Sequence, residues 1–147
     1  MVTVTVGQWD ASTPDALLAS VDQLKSYLTT NPTDILLLPE LPFSDWFPSL
    51  KEFDEILWHE AEEAHLHWID RLDTFNVPTI IGTRPLTHED GRRSNTSWIW
   101  HNGNWHDVHE KYYLPNEQGF WEANWYERGN GEMAFATIGN LKIGILI

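Results

Sequence analysis

Ile35-Leu36-Leu37-Leu38-Pro39-Glu40-Leu41 is the stretch on which the reading of this chain turns. Ile35 to Leu38 form a continuous apolar run, the pattern of a strand covered on both sides. Glu40 then stands at the strand's C-terminal end, the edge where open α/β sheets bind ligands. A carboxylate there can be partly desolvated, with a pKa raised toward general-base work. Position alone leaves a loop carboxylate or a helix cap as the other reading of Glu40.

Working outward, Val2, Val4 and Val6 alternate with Thr3 and Thr5, which predicts a first strand with two different faces. Thr13-Pro14-Asp15 reads as a helix start: a capping hydroxyl, a proline suited to the first helical position, and an acid at the positive end of the dipole. Leu17, Val21, Leu24 and Leu28 share one face of that helix, and Asn31-Pro32 ends it. A long helix is predicted from about Pro48 to Phe75, on the stripe Leu57, Ala61, Ala64, Trp68, Leu72 and Phe75. Thr79 to Thr83 is the next strand. Ser97 to Trp100 and Trp105 to His109 flank His101-Asn102-Gly103-Asn104, a strong hairpin signal. Met133 to Thr137 and Leu141 to Ile147 make a last strand pair turning at Gly139-Asn140, and the apolar Ile143 to Ile147 reads as a central strand. The order argues for one α/β domain over residues 1–147, a mixed sheet with helices on one or both faces.

The formal net charge is −13 and no run of Lys or Arg occurs, which argues against nucleic acid or an anionic membrane as partner. Nine tryptophans favour a folded chain over a disordered one. With no cysteine, disulfides and thiolate chemistry are excluded within these residues. The N-terminus lacks the basic start and apolar stretch of a signal peptide, and no apolar segment is long enough to span a bilayer. The expectation is a cytoplasmic, soluble protein.

Lys111 ends the hairpin's second strand, just before Tyr112-Tyr113-Leu114-Pro115. In an aromatic pocket a lysine can stabilise a developing oxyanion; the plainer reading is a surface lysine. Glu117, Glu122 and Glu127 lie among Phe120, Trp121, Trp125 and Tyr126, where a glutamate could orient a lysine or a base. His59 to His67 misses the His-Glu-x-x-His spacing; His59 and Glu63 share a face, but two ligands do not make a site. A solvated acidic face is the better account, and no metal is expected. His101, His106 and His109 read as hairpin surface. There is no glycine-rich phosphate loop and no serine in a nucleophile elbow.

Together these pieces resemble the nitrilase, or carbon–nitrogen hydrolase, superfamily. Four segments match in order: Val2 to Gln8 before a helix, Leu38-Pro39-Glu40, Lys111-Tyr112-Tyr113-Leu114-Pro115, and Gly144-Ile145-Leu146-Ile147. The resemblance covers this whole chain but about half of a family member. It implies half of an αββα sandwich, the N-terminal half of the enzyme, ending just before the nucleophilic cysteine. It implies Glu40 as general base, Lys111 as stabiliser of the tetrahedral intermediate, and Glu122 as the second glutamate of the carbamoyl-amidase branch, with Glu117 in reserve. The activity implied is hydrolysis of an amide, carbamoyl or nitrile carbon–nitrogen bond through a cysteine thioester. The substrate is a small molecule, no metal or organic cofactor is needed, and the protein pairs as a homodimer or larger homo-oligomer. Tyr113 stands where many relatives have histidine, and His109-Glu110 replaces the common basic residue before the lysine, which bears on the subfamily.

Two other readings stand beside it. One is a non-catalytic fragment or pseudoenzyme. The other is a metal-dependent phosphoesterase of DNase I-like fold, also layered α/β with a glutamate after an early strand.

Overall fold

The computed structural model describes residues 1–147. A five-stranded sheet runs in sequence order through β1 (Val4–Val6), β2 (Ile35–Leu37), β3 (Thr79–Thr87), β4 (Arg93–His101) and β5 (Asn104–Glu110). β1, β2 and β3 are parallel; β3, β4 and β5 are antiparallel. The mixed sheet follows from its connections. α1 (Pro14–Thr30) and α2 (Glu55–Ile69) provide the crossovers that parallel neighbours need. Asn102-Gly103, both at positive φ, turn β4 back onto β5 in two residues.

α1 begins as the sequence predicts. Thr13 Oγ1 accepts from the backbone N–H of Ala16, Pro14 follows, and Leu17 and Val21 are buried. Both helices pack on one face of the sheet, where Leu17, Val21, Ile69, Leu36, Ile80, Trp98 and Trp100 share the main core. No helix is long and apolar enough to cross a membrane.

The long helix expected from Pro48 to Phe75 is three pieces. Phe47–Ser49 is a 3-10 turn, α2 starts only at Glu55, and Leu72–Phe75 is a second 3-10 turn ending at Asn76 in the left-handed region. The start is fixed by Asp54, whose Oδ1 accepts from the N–H groups of Ile56 and Leu57. The buried positions of α2 are Trp58, Ala61, His65 and Ile69, rotated by one residue from the stripe through Leu57, Ala64 and Trp68.

The last strand pair also differs from expectation. β6 (Phe135–Ile138) and β7 (Leu141–Gly144) pair around Gly139-Asn140, but as a separate two-stranded sheet. Strand structure stops at Gly144, so Ile143 to Ile147 is not a central strand. The apolar pattern is one-sided instead. Ala136, Ile138, Ile143 and Ile145 pack on Ile81 and Ile99, covering the sheet face opposite the helices, while Leu146 is exposed. On that same face the β1–β2 edge presents Val4, Val6 and Leu37 to solvent.

Candidate active site

Glu40, Lys111 and Glu122 belong to three separate segments, Lys111 standing 71 residues after Glu40 and 11 before Glu122, yet they converge at one point: Lys111 Nζ is 2.8 Å from Glu40 Oε1 and 2.7 Å from Glu122 Oε2.

Each arrives by a different route. Glu40 follows β2, where the backbone N–H of Leu38 still donates to Ile81 and that of Leu41 donates to Thr83 Oγ1 at 2.7 Å. Leu41 sits at φ 47°, a left-handed conformation that costs a branched residue about 1–2 kcal/mol. Burial of its side chain among Phe47, Trp58, Trp125 and Tyr126 holds it there. The strained turn swings the chain away from the sheet directly after Glu40.

Lys111 directly follows β5. Its N–H donates to the carbonyl of Asn95 at 2.9 Å, and its carbonyl accepts from Gly129 at 3.0 Å. Gly129 is required by contact, since a Cβ there would stand 2.6 Å from the Cβ and carbonyl oxygen of Glu110. Glu122 opens α3 (Glu122–Trp125), a single turn pinned to the segment before α2. Trp121 N–H donates to Pro48, Asn124 Nδ2 to Lys51 and Trp125 Nε1 to Leu50. Glu117, held in reserve for the same role, is exposed in the turn that bridges it to Phe120.

The two carboxylates are not equivalent. Glu122 is 2% exposed, whereas the Glu40 side chain is 32% exposed. Burial pushes the Glu122 carboxyl above the usual range, Lys111 pulls it partly back, and the charge of Glu40 adds to the rise. Tyr126, buried beside them, has its phenol raised well above 10, first by burial and then by the charges of Glu40 and Glu122, so it stays neutral. An ammonium has three donors. On Lys111 one donor is hydrogen-bonded to Glu40 Oε1 and Glu122 Oε2 lies 2.7 Å away as an ion pair, which leaves an N–H for an incoming oxygen.

Asn95 is the residue that sequence reading missed. It lies within β4, is fully buried, and donates from Nδ2 to Glu40 Oε1 at 2.6 Å. A cavity of about 200 Å³ adjoins Glu40, lined also by Trp9, Pro42 and Trp46. A larger surface cavity, about 690 Å³, lies elsewhere, around His88, Arg92, Glu110 and Arg128.

The histidines take other places. His59 faces Glu62 at 3.2 Å and Glu55 at 3.9 Å on the exposed side of α2. His101 contacts Thr79, and His106 is exposed. His109, expected at the hairpin surface, is buried, because residues 130–133 fold over it and its Nδ1 meets the Glu132 carbonyl at 3.2 Å.

No family model and no curated protein matches the sequence. Solved structures do match. The amidase from Nesterenkonia sp. AN1, of the nitrilase superfamily, aligns at a TM-score of 0.74 and 17% identity over 99% of this chain and 55% of that one. A carbon–nitrogen hydrolase from Helicobacter pylori G27 aligns at 0.69 and 18% identity, over 90% of this chain and 46% of that one. The glutamine-dependent NAD+ synthetase from Acinetobacter baumannii aligns at 0.69 and 18% identity, over 96% and 27%. The chain therefore has the nitrilase-type fold and spans about half the length of the amidase and the carbon–nitrogen hydrolase.

Proposed function

We propose that these residues form the N-terminal half of a carbon–nitrogen hydrolase of the nitrilase superfamily, acting on an amide, carbamoyl or nitrile group through a cysteine thioester. The observation that carries this reading is the buried ammonium of Lys111 between two carboxylates, at the strand ends of a nitrilase-type fold. The nucleophile belongs to residues after Ile147. Ile147 shares a cavity with Tyr112 and Tyr113, the two residues that follow Lys111. The Nesterenkonia amidase has an active-site cysteine, to which acrylamide adds.

For an amide the steps are as follows. Glu40 takes the thiol proton as sulfur bonds to the carbonyl carbon. The oxygen gains negative charge and accepts from the remaining Lys111 N–H. Glu40 returns the proton to nitrogen, the carbon–nitrogen bond breaks, and ammonia or an amine leaves a thioester. Water then attacks the thioester with Glu40 as base, the carbon–sulfur bond breaks as Glu40 returns that proton to the sulfur, and the acid departs. Glu122, buried beside the lysine, orients Lys111 through their 2.7 Å ion pair. Residues 1–147 contain no cysteine, so alone they are expected to be inactive.

The test uses the complete protein. Intact mass before and after iodoacetamide should show one readily alkylated thiol, whose modification abolishes hydrolysis of an amide, carbamoyl or nitrile substrate, while EDTA has no effect. Glu40→Gln should abolish acylation. Normal adduct formation in that variant would remove Glu40 as the base. A complete protein without a reactive thiol, or one inhibited by EDTA alone, would end the cysteine-hydrolase reading.

A further inference from the structure

We infer that Asn95 is a positioning residue for the general base: it selects which oxygen of Glu40 is presented to the nucleophile. This rests on the reading of Glu40 given above. Asn95 Nδ2 and Lys111 Nζ both donate to Oε1 of Glu40, at 2.6 and 2.8 Å. Oε2 has no protein partner, and the Glu40 side chain is open to solvent on one side. Lysine alone cannot fix this choice, because an ammonium is a point charge that either oxygen can meet. A planar amide held rigidly in a strand adds the second direction that stops the carboxylate from rotating.

Three further observations single out Asn95. It is fully buried within β4, where the surrounding side chains restrict its orientation. Its own carbonyl accepts from the backbone N–H of Lys111 at 2.9 Å. One residue thus fixes the base through its side chain and the lysine through its backbone. Its Oδ1 is buried without a partner, although buried polar atoms are nearly always satisfied. Being neutral, the amide orients the carboxylate without adding a second cation beside it. A guanidinium in the same place would orient Glu40 but weaken it as a base.

The experiment compares Asn95→Asp and Asn95→Ala with the wild-type complete protein. Aspartate keeps the volume and Oδ1 but replaces the donor with an acceptor. Both variants should lose about 100-fold in kcat, the scale for a misplaced reacting group, with KM changed less than about 3-fold. Asn95→Asp should be the worse of the two. A residue needed only for packing would show the opposite order, because aspartate fills the space. In parallel, one Asn95 side-chain N–H proton should move upfield in the NMR spectrum of Glu40→Ala. An Asn95→Asp variant with wild-type kcat, or a loss confined to KM, overturns the assignment. If Glu40→Gln is dead while Asn95→Asp is fully active, only the role of Asn95 falls. If the wild type cleaves no carbon–nitrogen substrate, both readings fall together.

Discussion

Neighbouring residues at the end of β5 belong to two charged clusters on opposite faces of the sheet. Lys111 meets Glu40 and Glu122 on one side. Glu110 meets Arg92 at 2.6 and 3.2 Å and His88 at 3.5 Å on the other. Successive residues of an extended chain point opposite ways, so a single step in sequence separates the two. The contact distances are alike; the burial is not. Lys111 and Glu122 side chains are 9% and 3% exposed, whereas those of Arg92 and Glu110 are 29% and 26%. The carboxyls respond in opposite directions. Bonding to Arg92 holds Glu110 below its ordinary range, while burial pushes Glu122 above it. Water access, more than pairing distance, decides whether an ion pair is a surface tie or a source of chemistry.

The strongest way to break this comparison is to remove the cation from each side. Lys111→Met leaves a buried carboxylate uncompensated and should cost about 3–5 kcal/mol in urea unfolding of the complete protein. Arg92→Met removes a part-exposed tie and should cost about 1 kcal/mol or less. Equal losses would mean that burial does not distinguish the two clusters.

A third ionisable group sharpens the point with no opposite charge paired to it; the charge of Arg84 acts in the same direction as burial. His65 is fully buried under the loop that follows Glu40, with Nδ1 donating to the Ala61 carbonyl at 2.7 Å and Nε2 accepting from Phe43 N–H at 3.4 Å. Burial lowers its pKa from 6.5 to about 4. Between those values the unfolded chain binds a proton that the folded chain does not. Stability should therefore fall as the pH drops from 6.5 to about 4, by about 3 kcal/mol in all. His65→Gln should flatten that part of the unfolding profile. An unchanged slope would assign the acid sensitivity to other groups.

Much of this was legible in the sequence, for identifiable reasons. Glu40 and Lys111 are marked by the apolar strand and the hairpin that end beside them. Glu122 is marked only by its aromatic neighbours. Asn95 carries no such mark. It lies in Arg93-Ser94-Asn95-Thr96-Ser97, a polar run without the apolar alternation of a strand, so the strand reads only from Ser97, whereas every one of its residues after Arg93 is buried in β4. The polarity that hides the strand is what the site requires of it. The helix was overextended because Leu72 and Phe75 continue its period although the chain turns at Asp70-Arg71 without glycine or proline. Ile143 to Ile147 misled for a related reason. A short apolar run has the same appearance whether a strand is covered on two faces or one.

The smallest effect is also the most specific, because it turns on sign. Glu122 has a folded pKa above 4.5. As the pH rises past 4.5, the unfolded carboxyl ionises first while the folded one holds its proton, so Glu122 withdraws stability up to its folded pKa. Glu110 has a folded pKa below 4.5. Its contribution is present above 4.5 and is lost as the pH falls through the folded value. Subtracting the profile of Glu122→Gln from that of the wild type should therefore leave a curve that descends with pH above 4.5. The same subtraction for Glu110→Gln should leave one that rises with pH below 4.5 and is then flat, of small amplitude because the pair is partly solvated. Two curves of the same sign would contradict the contrast between the faces, since one residue would then be ionising in the environment assigned to the other.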